Sequence, residues 1–184
     1  MWLEIPHLWI GLINGLGIPA VHLGLSWAFT RMPERWFESD GWLFRRWPGE
    51  TSAAYARRLG IRRWKRWLPD AAPWFGGIPK RSLAGAGAGH LRAMIRETRR
   101  GEAAHHAQTL VIAAFVLWTP WPWAAVILAW ALVSNLPCVW IQRYNRLRFR
   151  KRLGRLDSGR GFAPGRITRE SDSVRPVRGP RRPR

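Results

Sequence analysis

The chain has 184 residues and a formal charge of +20, from 31 Lys and Arg against 11 Asp and Glu. Its single cysteine, Cys138, excludes an intrachain disulfide and a cysteine-built metal site. The basic residues fall in two blocks, 16 between Arg31 and Arg100 and 15 between Arg143 and Arg184, and leave 1–30 and 101–142 without any.

Those two uncharged stretches are also the apolar ones, a pattern expected of a membrane protein sorted by its positive loops rather than of a soluble basic protein. Residues 5–30 carry no Lys, Arg, Asp or Glu. At a rise of about 1.5 Å per residue they are long enough to cross a hydrocarbon core of about 30 Å. No basic residue precedes the apolar run, and Ser26-Trp27-Ala28-Phe29 makes a poor cleavage site for a secretory signal. The segment reads as a spanning helix with its N-terminus outside.

Residues 31–101 read as a cytosolic loop with amphipathic helices. Met32-Pro33-Glu34-Arg35 suits a helix start, with Pro near the first helical position. Residues 53–67 are helix-like, and Pro69 ends them. Residues 72–89 are rich in Gly and Pro. Gly85 to Gly89 alternates Gly and Ala without the spacing of a phosphate loop, so a connector is expected. Residues 90–106 should be helical and lead into the membrane.

The second apolar block, 103–141, is interrupted by Thr119-Pro120-Trp121-Pro122. Two prolines so close remove amide donors and disfavour helix before them, which predicts two spanning helices, 103–119 and 122–142, joined by an outer turn. Trp118, Trp121 and Trp123 belong at the outer interface, where an indole keeps its N–H wet. From 143 onward the chain reads as a basic cytosolic tail, largely disordered. Past about 153 its Arg, Gly, Pro and Ser cannot bury enough surface to offset their ordering entropy. Anionic headgroups are its expected partners, and with no recognition helix or stacking motif beside it no specific nucleic acid is expected.

The densest polar signal is the run from Arg96 to His106. On a helix Glu102 lies three residues from His105 and four from His106, so a carboxylate and an imidazole can share one face. A carboxylate can fix the tautomer of an imidazole and raise its basicity, as acid–base catalysis requires. The plain alternative is a solvated helix end at the interface. The other leg supplies Asn135-Leu136-Pro137-Cys138 and Gln142-Arg143-Tyr144-Asn145-Arg146. His105 lies about fifteen residues before Pro120 and Asn135 about fifteen after it, so a folded-back pair sets them at similar depth. Arg143 and Arg146 at the inner interface suit either a phosphate or lipid headgroups. Lys65 among Trp64 and Trp67 suits surface attachment or stacking on a ring.

Trp64-Lys65 with Leu68-Pro69-Asp70, Arg96-Glu97-Thr98 through Arg100-Gly101-Glu102 to His105, Asn135-Leu136-Pro137-Cys138 and Gln142 to Arg146 occur in this order. Together they resemble the glycosyl-4,4'-diaponeurosporenoate acyltransferases of the staphyloxanthin-type carotenoid pathway, over roughly 41–148. That family's pattern has Cys at the position of Arg99 and an aromatic residue at His106, which argues against a thiol nucleophile here. The resemblance implies transfer of a fatty acyl group to the primary hydroxyl of the sugar on a glycosylated carotenoid carboxylic acid. It implies His105 as base oriented by Glu102, Glu97 against the sugar, and Asn135 donating to the oxyanion. Lys65, Asp70, Arg100, Gln142, Arg143, Asn145 and Arg146 would bind substrate, the cations holding the phosphates of a donor such as acyl-CoA. No HxxxxD motif is present, since Ile95 and Leu110 stand five residues after His90 and His105.

The expectation is thus an all-α polytopic protein of the cell membrane with three transmembrane helices. It comprises a first span (1–30), a helical cytosolic loop (31–101), a C-terminal transmembrane hairpin (102–142) and a tail (143–184). It needs no metal and no cofactor beyond the acyl donor as co-substrate. Its expected partners are that donor and a glycosyl carotenoid or another membrane lipid as acceptor. The alternatives are an acyltransferase on another glycosylated isoprenoid or glycolipid, and a non-catalytic membrane scaffold of a pigment pathway.

Overall fold

The computed structural model describes residues 5–68 and 87–161, with side chains as far as Ser158. Every regular element among them is helical. Helix α1, His7–Arg31, ends where Met32 turns extended ahead of Pro33, a residue that disfavours helix for its predecessor. Short 3₁₀ turns follow at Glu34–Phe37 and Trp42–Phe44, so the expected helix start at Pro33 gives only one tight turn. The helix-like stretch 53–67 divides into α2, Ser52–Arg58, and α3, Ile61–Trp64. Thr51 caps α2 by accepting from the Ala54 N–H at 3.0 Å. Gly60, at φ 58°, supplies the left-handed residue that separates the two helices. The glycine-rich connector lies outside the described residues, apart from its last three: Gly87 precedes α4, Ala88–Ala113, and Ala88 and Gly89 open it. A 3₁₀ turn, Ala114–Leu117, leads to the turn at Pro120, with a cis peptide between Trp121 and Pro122, and α5 runs over Trp123–Gly161.

Helices α4 and α5 fold back on each other as the two prolines require. Ile112 and Phe115 meet Ile127 and Ala131 near the turn, while Leu91, Met94 and Ile95 enclose Phe149 at the far end. Helix α1 lies antiparallel to α4. Asn14 donates to Thr119 Oγ1 and accepts from Trp118 Nε1, both at 3.0 Å, while eight residues on His22 meets Gln108. Trp118 thus spends its N–H on Asn14 and not on interfacial water, whereas Trp121 and Trp123 are exposed. Gly17 lets α1 approach the Ala114–Leu117 turn closely, since a Cβ there would stand 2.9 Å from the Phe115 ring. The N-terminal end of α1 and the Pro120 turn therefore share one end of the bundle, and the charged residues collect at the other.

Two helices are long and apolar enough to cross a bilayer, α1 and the Trp123–Ser158 portion of α5. The third expected span differs. Residues 103–119 divide between the last turns of α4, whose first half is charged, and the 3₁₀ turn, so α4 as a whole is not comparably apolar. Of α1 only Ile10 is buried, and Leu8, Leu16 and Leu23 point outward, as do Leu110 on α4 and Leu132 and Val133 on α5. Such a continuous apolar surface suits lipid and not water. The tail also departs from expectation. Residues 143–161 continue α5 as helix, because Phe149, Leu153 and Leu156 pack on Leu91, Met94 and Ile95. The rest of the tail lies outside the described residues.

Candidate active site

His105 and Asn135 come face to face, as the equal distances from Pro120 require. Asn135 is fully buried, and its Nδ2 donates to the Ala131 carbonyl at 3.0 Å and to Ser134 Oγ at 3.1 Å. Both amide hydrogens are thereby committed, which turns Oδ1 toward His105 Nδ1 at 3.0 Å. That oxygen can only accept, so Nδ1 carries the ring proton and Nε2 is the basic nitrogen. Asn135 therefore orients the imidazole. It does not offer an N–H to an oxyanion, the role the family resemblance implied.

Glu102 finds its charged partners on α5. It is fully buried between Arg143, whose Nη1 lies 2.6 Å from Oε1, and Arg146, which bonds Oε2. Its other neighbour is His106, with Nε2 at 3.9 Å. The i,i+4 imidazole meets the carboxylate, while α5 presents Asn135 to His105. A buried carboxylate needs cations, and two arginines one turn apart on α5 supply them.

Those arginines are consequently not phosphate clamps. Arg143 grips Glu50 with Nε at 2.7 Å and Nη2 at 3.0 Å, also donates to the Arg45 carbonyl at 2.9 Å, and lies over the Trp47 ring. Arg143 and Arg146 are both about 3% exposed. Glu50 in turn accepts from Tyr55 Oη at 2.7 Å and from the Trp47 N–H at 3.1 Å. Burial alone would raise the Glu50 pKa, but the hydrogen bonds from Arg143, Tyr55 and Trp47 hold it below the usual carboxylate range. Burial first, and the Glu50 carboxylate second, push Tyr55 up to about 12.

The other expected binders divide. Glu97 is buried and pairs with Arg100 at 2.8 Å, and Arg100 also lies over Phe37, so both serve the packing of α4 on the Glu34–Phe37 turn. Asn145 is buried. Gln142 lies against Gly101, where a Cβ would come within 2.8 Å of its Nε2, so Gly101 makes room for this amide one turn from His105. Lys65 sits 5.2 Å from the centre of the buried Tyr144 ring, and Arg148 sits 5.6 Å from the same ring. Burial lowers the Lys65 pKa, and the nearby charges of Arg148 and Arg62 press the same way. Asp70 lies outside the described residues.

Several structural residues escaped sequence reasoning. Arg99 is a clamp, donating to the Phe37 and Glu38 carbonyls at 2.8 and 2.9 Å and to Asp40 from Nη2 at 2.8 Å. Asp40 also accepts from Arg150. Burial raises the Asp40 pKa, but the Arg99 and Arg150 hydrogen bonds bring it below its usual value. The available signal was scarcity: with 11 acids against 31 basic residues, each acid has a ready choice of partners.

A family model described as glycosyl-4,4'-diaponeurosporenoate acyltransferase matches residues 33–155. Neither the curated proteins nor the solved structures give a match.

Proposed function

Because the chain belongs to the glycosyl-4,4'-diaponeurosporenoate acyltransferase family, we propose that it moves a fatty acyl group onto the primary hydroxyl of the sugar of a glycosylated carotenoid carboxylic acid. The observation that carries the reading to particular atoms is the His105–Asn135 pair. In this mechanism His105 Nε2 takes the hydroxyl proton while the sugar oxygen bonds to the acyl carbonyl carbon. Collapse of the tetrahedral adduct breaks the bond to the donor's leaving group, and the imidazolium returns its proton to that group. Asn135 keeps Nδ1 protonated throughout and favours the imidazolium, the role of a triad's third member.

Gln142, held over Gly101, is the amide assigned to substrate. For an acyl-CoA donor the phosphates are assigned to Lys65 and Arg148. Their shared position over Tyr144, and the depressed Lys65 pKa, favour an added anion. The protein is read as lying in the cell membrane with three spans, α1, 103–119 and 122–142, the charged end cytosolic and Pro120 outside. A lipid-soluble acceptor and a water-soluble donor then meet where the spans enter the charged end, at the depth of His105. Headgroups of anionic lipids complete the partners, drawn to exposed Trp36, Trp42 and Trp47 with the neighbouring arginines.

The test is direct. Purified protein in lipid nanodiscs, given acyl-CoA and glycosyl-4,4'-diaponeurosporenoate, should yield a product heavier by one acyl group. Absence of that product at any donor chain length would remove the reading.

A further inference from the structure

Where α1, α4 and α5 meet, Ile18, Val21, Ile112, Phe115, Ile127 and Ala131 form an apolar layer. One helical turn toward the charged end the layer becomes polar. His22 follows Ile18 by four residues, Gln108 precedes Ile112 by four, and Asn135 follows Ala131 by four. Packing alone requires no such layer, and in lipid-covered helices each polar group needs a partner.

The layer uses one device twice. On the α5 side Asn135 Oδ1 fixes the proton of His105 on Nδ1. On the α1 side Gln108 Nε2 donates to the His22 carbonyl at 3.1 Å and to Ser26 Oγ at 3.0 Å, which leaves Oε1 as the acceptor facing His22 Nδ1 at 3.3 Å. His22 Nδ1 therefore carries the proton and Nε2 is a bare acceptor. That nitrogen is buried and has no hydrogen-bond partner among the described residues. A dry acceptor is costly, and a bound molecule that brings a donor removes the cost.

We propose that His22 Nε2 accepts a hydrogen bond from a sugar hydroxyl of the acceptor, so that α1 forms one wall of the acceptor site; this rests on the glycosyl-acceptor reading above. A neutral hydroxyl fits the nitrogen. A phosphodiester brings no proton to donate, and an ammonium is far costlier to bury. A sugar carries several hydroxyls on one ring, and Gln108 lies three residues from His105, about 4.5 Å along the α4 axis. One hydroxyl reaches His105 as the attacking group while a neighbour rests on His22.

The test uses the full chain in nanodiscs with dodecyl glucoside as probe and dodecyl phosphocholine as a sugar-free control. Replacing His22 by Phe should raise the Kd for the glucoside about tenfold, the worth of one hydrogen bond, and leave the control unchanged. His22→Gln, which restores an acceptor, should recover most of the affinity. Unchanged glucoside affinity in His22→Phe, an equal loss for the control, or no glucoside binding by the wild type would each overturn the proposal. Nitrogen NMR of the wild type needs no variant: the glucoside should shift the His22 Nε2 resonance, and an unmoved resonance also overturns it. The parent reading is judged separately. Acylation with no glucoside at His22 removes this proposal alone, whereas glucoside recognition without acylation removes the parent reading.

Discussion

At the scale of single residues, the site turns on what each buried polar atom has left to give. Asn135 has no amide hydrogen to spare, so its chemistry is to accept from His105 and hold one tautomer. Replacing Asn135 by Leu should lower turnover about ten- to hundredfold through loss of orientation, with donor KM little changed, as seen when groups that orient a functional imidazole are removed. Steady-state rates at saturating donor measure this directly. Glu50 and Glu102 show the opposite economy, since neither is placed to touch substrate and both neutralise arginines. Glu50→Gln should destabilise the fold by about 3 kcal/mol by leaving part of Arg143 uncompensated. The Glu50 pKa is lowered in the fold, so its contribution is full above the ordinary carboxylate range. It is lost as pH falls through the folded value. Thermal melts of the wild type should drop below about pH 4, and the Glu50→Gln variant should show a smaller acid-dependent drop.

At the scale of elements, the hairpin was legible because it needed only two facts, the prolines at 120 and 122 and the helical rise. Those place His105 beside Asn135, and the structure does so. The choice of partner within that meeting was not legible. Glu102 can face His105 or His106 by spacing alone, and it is the packing of α5 that brings Arg143 and Arg146 to Glu102 and Asn135 to His105. The first helix was legible from its missing charge as one long and apolar enough to cross a bilayer. Its polar contacts to Gln108, Thr119 and Trp118 required knowing that α1 packs on α4. The loop between them hid most. Glu50 and Asp40 reach across 93 and 110 residues to Arg143 and Arg150, separations at which sequence pattern carries no pairing signal. The contact of Gly101 with Gln142 gives an element-level prediction. Gly101→Ala should displace the Gln142 amide and raise acceptor KM several-fold while the protein still folds, since the far end of a side chain yields before a backbone does. Acceptor titrations read out the change.

At the scale of the whole molecule, charge and apolarity are separated along one axis, with the imidazole at the boundary. The continuous α5 carries this axis from the apolar turn to the arginines of its second half. Labelling of single cysteines in a Cys138→Ser background should find positions near Pro120 and near Trp42 on opposite sides of the bilayer. Labelling from the same side would dismantle the proposed topology. The family match spans 33–155 and so includes both His105 and its partner on α5. In the proposed mechanism His105, held by Asn135, drives acyl transfer. The most direct measurement is the rate of acylated product formation by His105→Ala protein, in nanodiscs, with acyl-CoA and the glycosylated carotenoid acid. A loss of about a hundredfold or more is expected, with intact folding and membrane insertion. Product formation at the wild-type rate would contradict it.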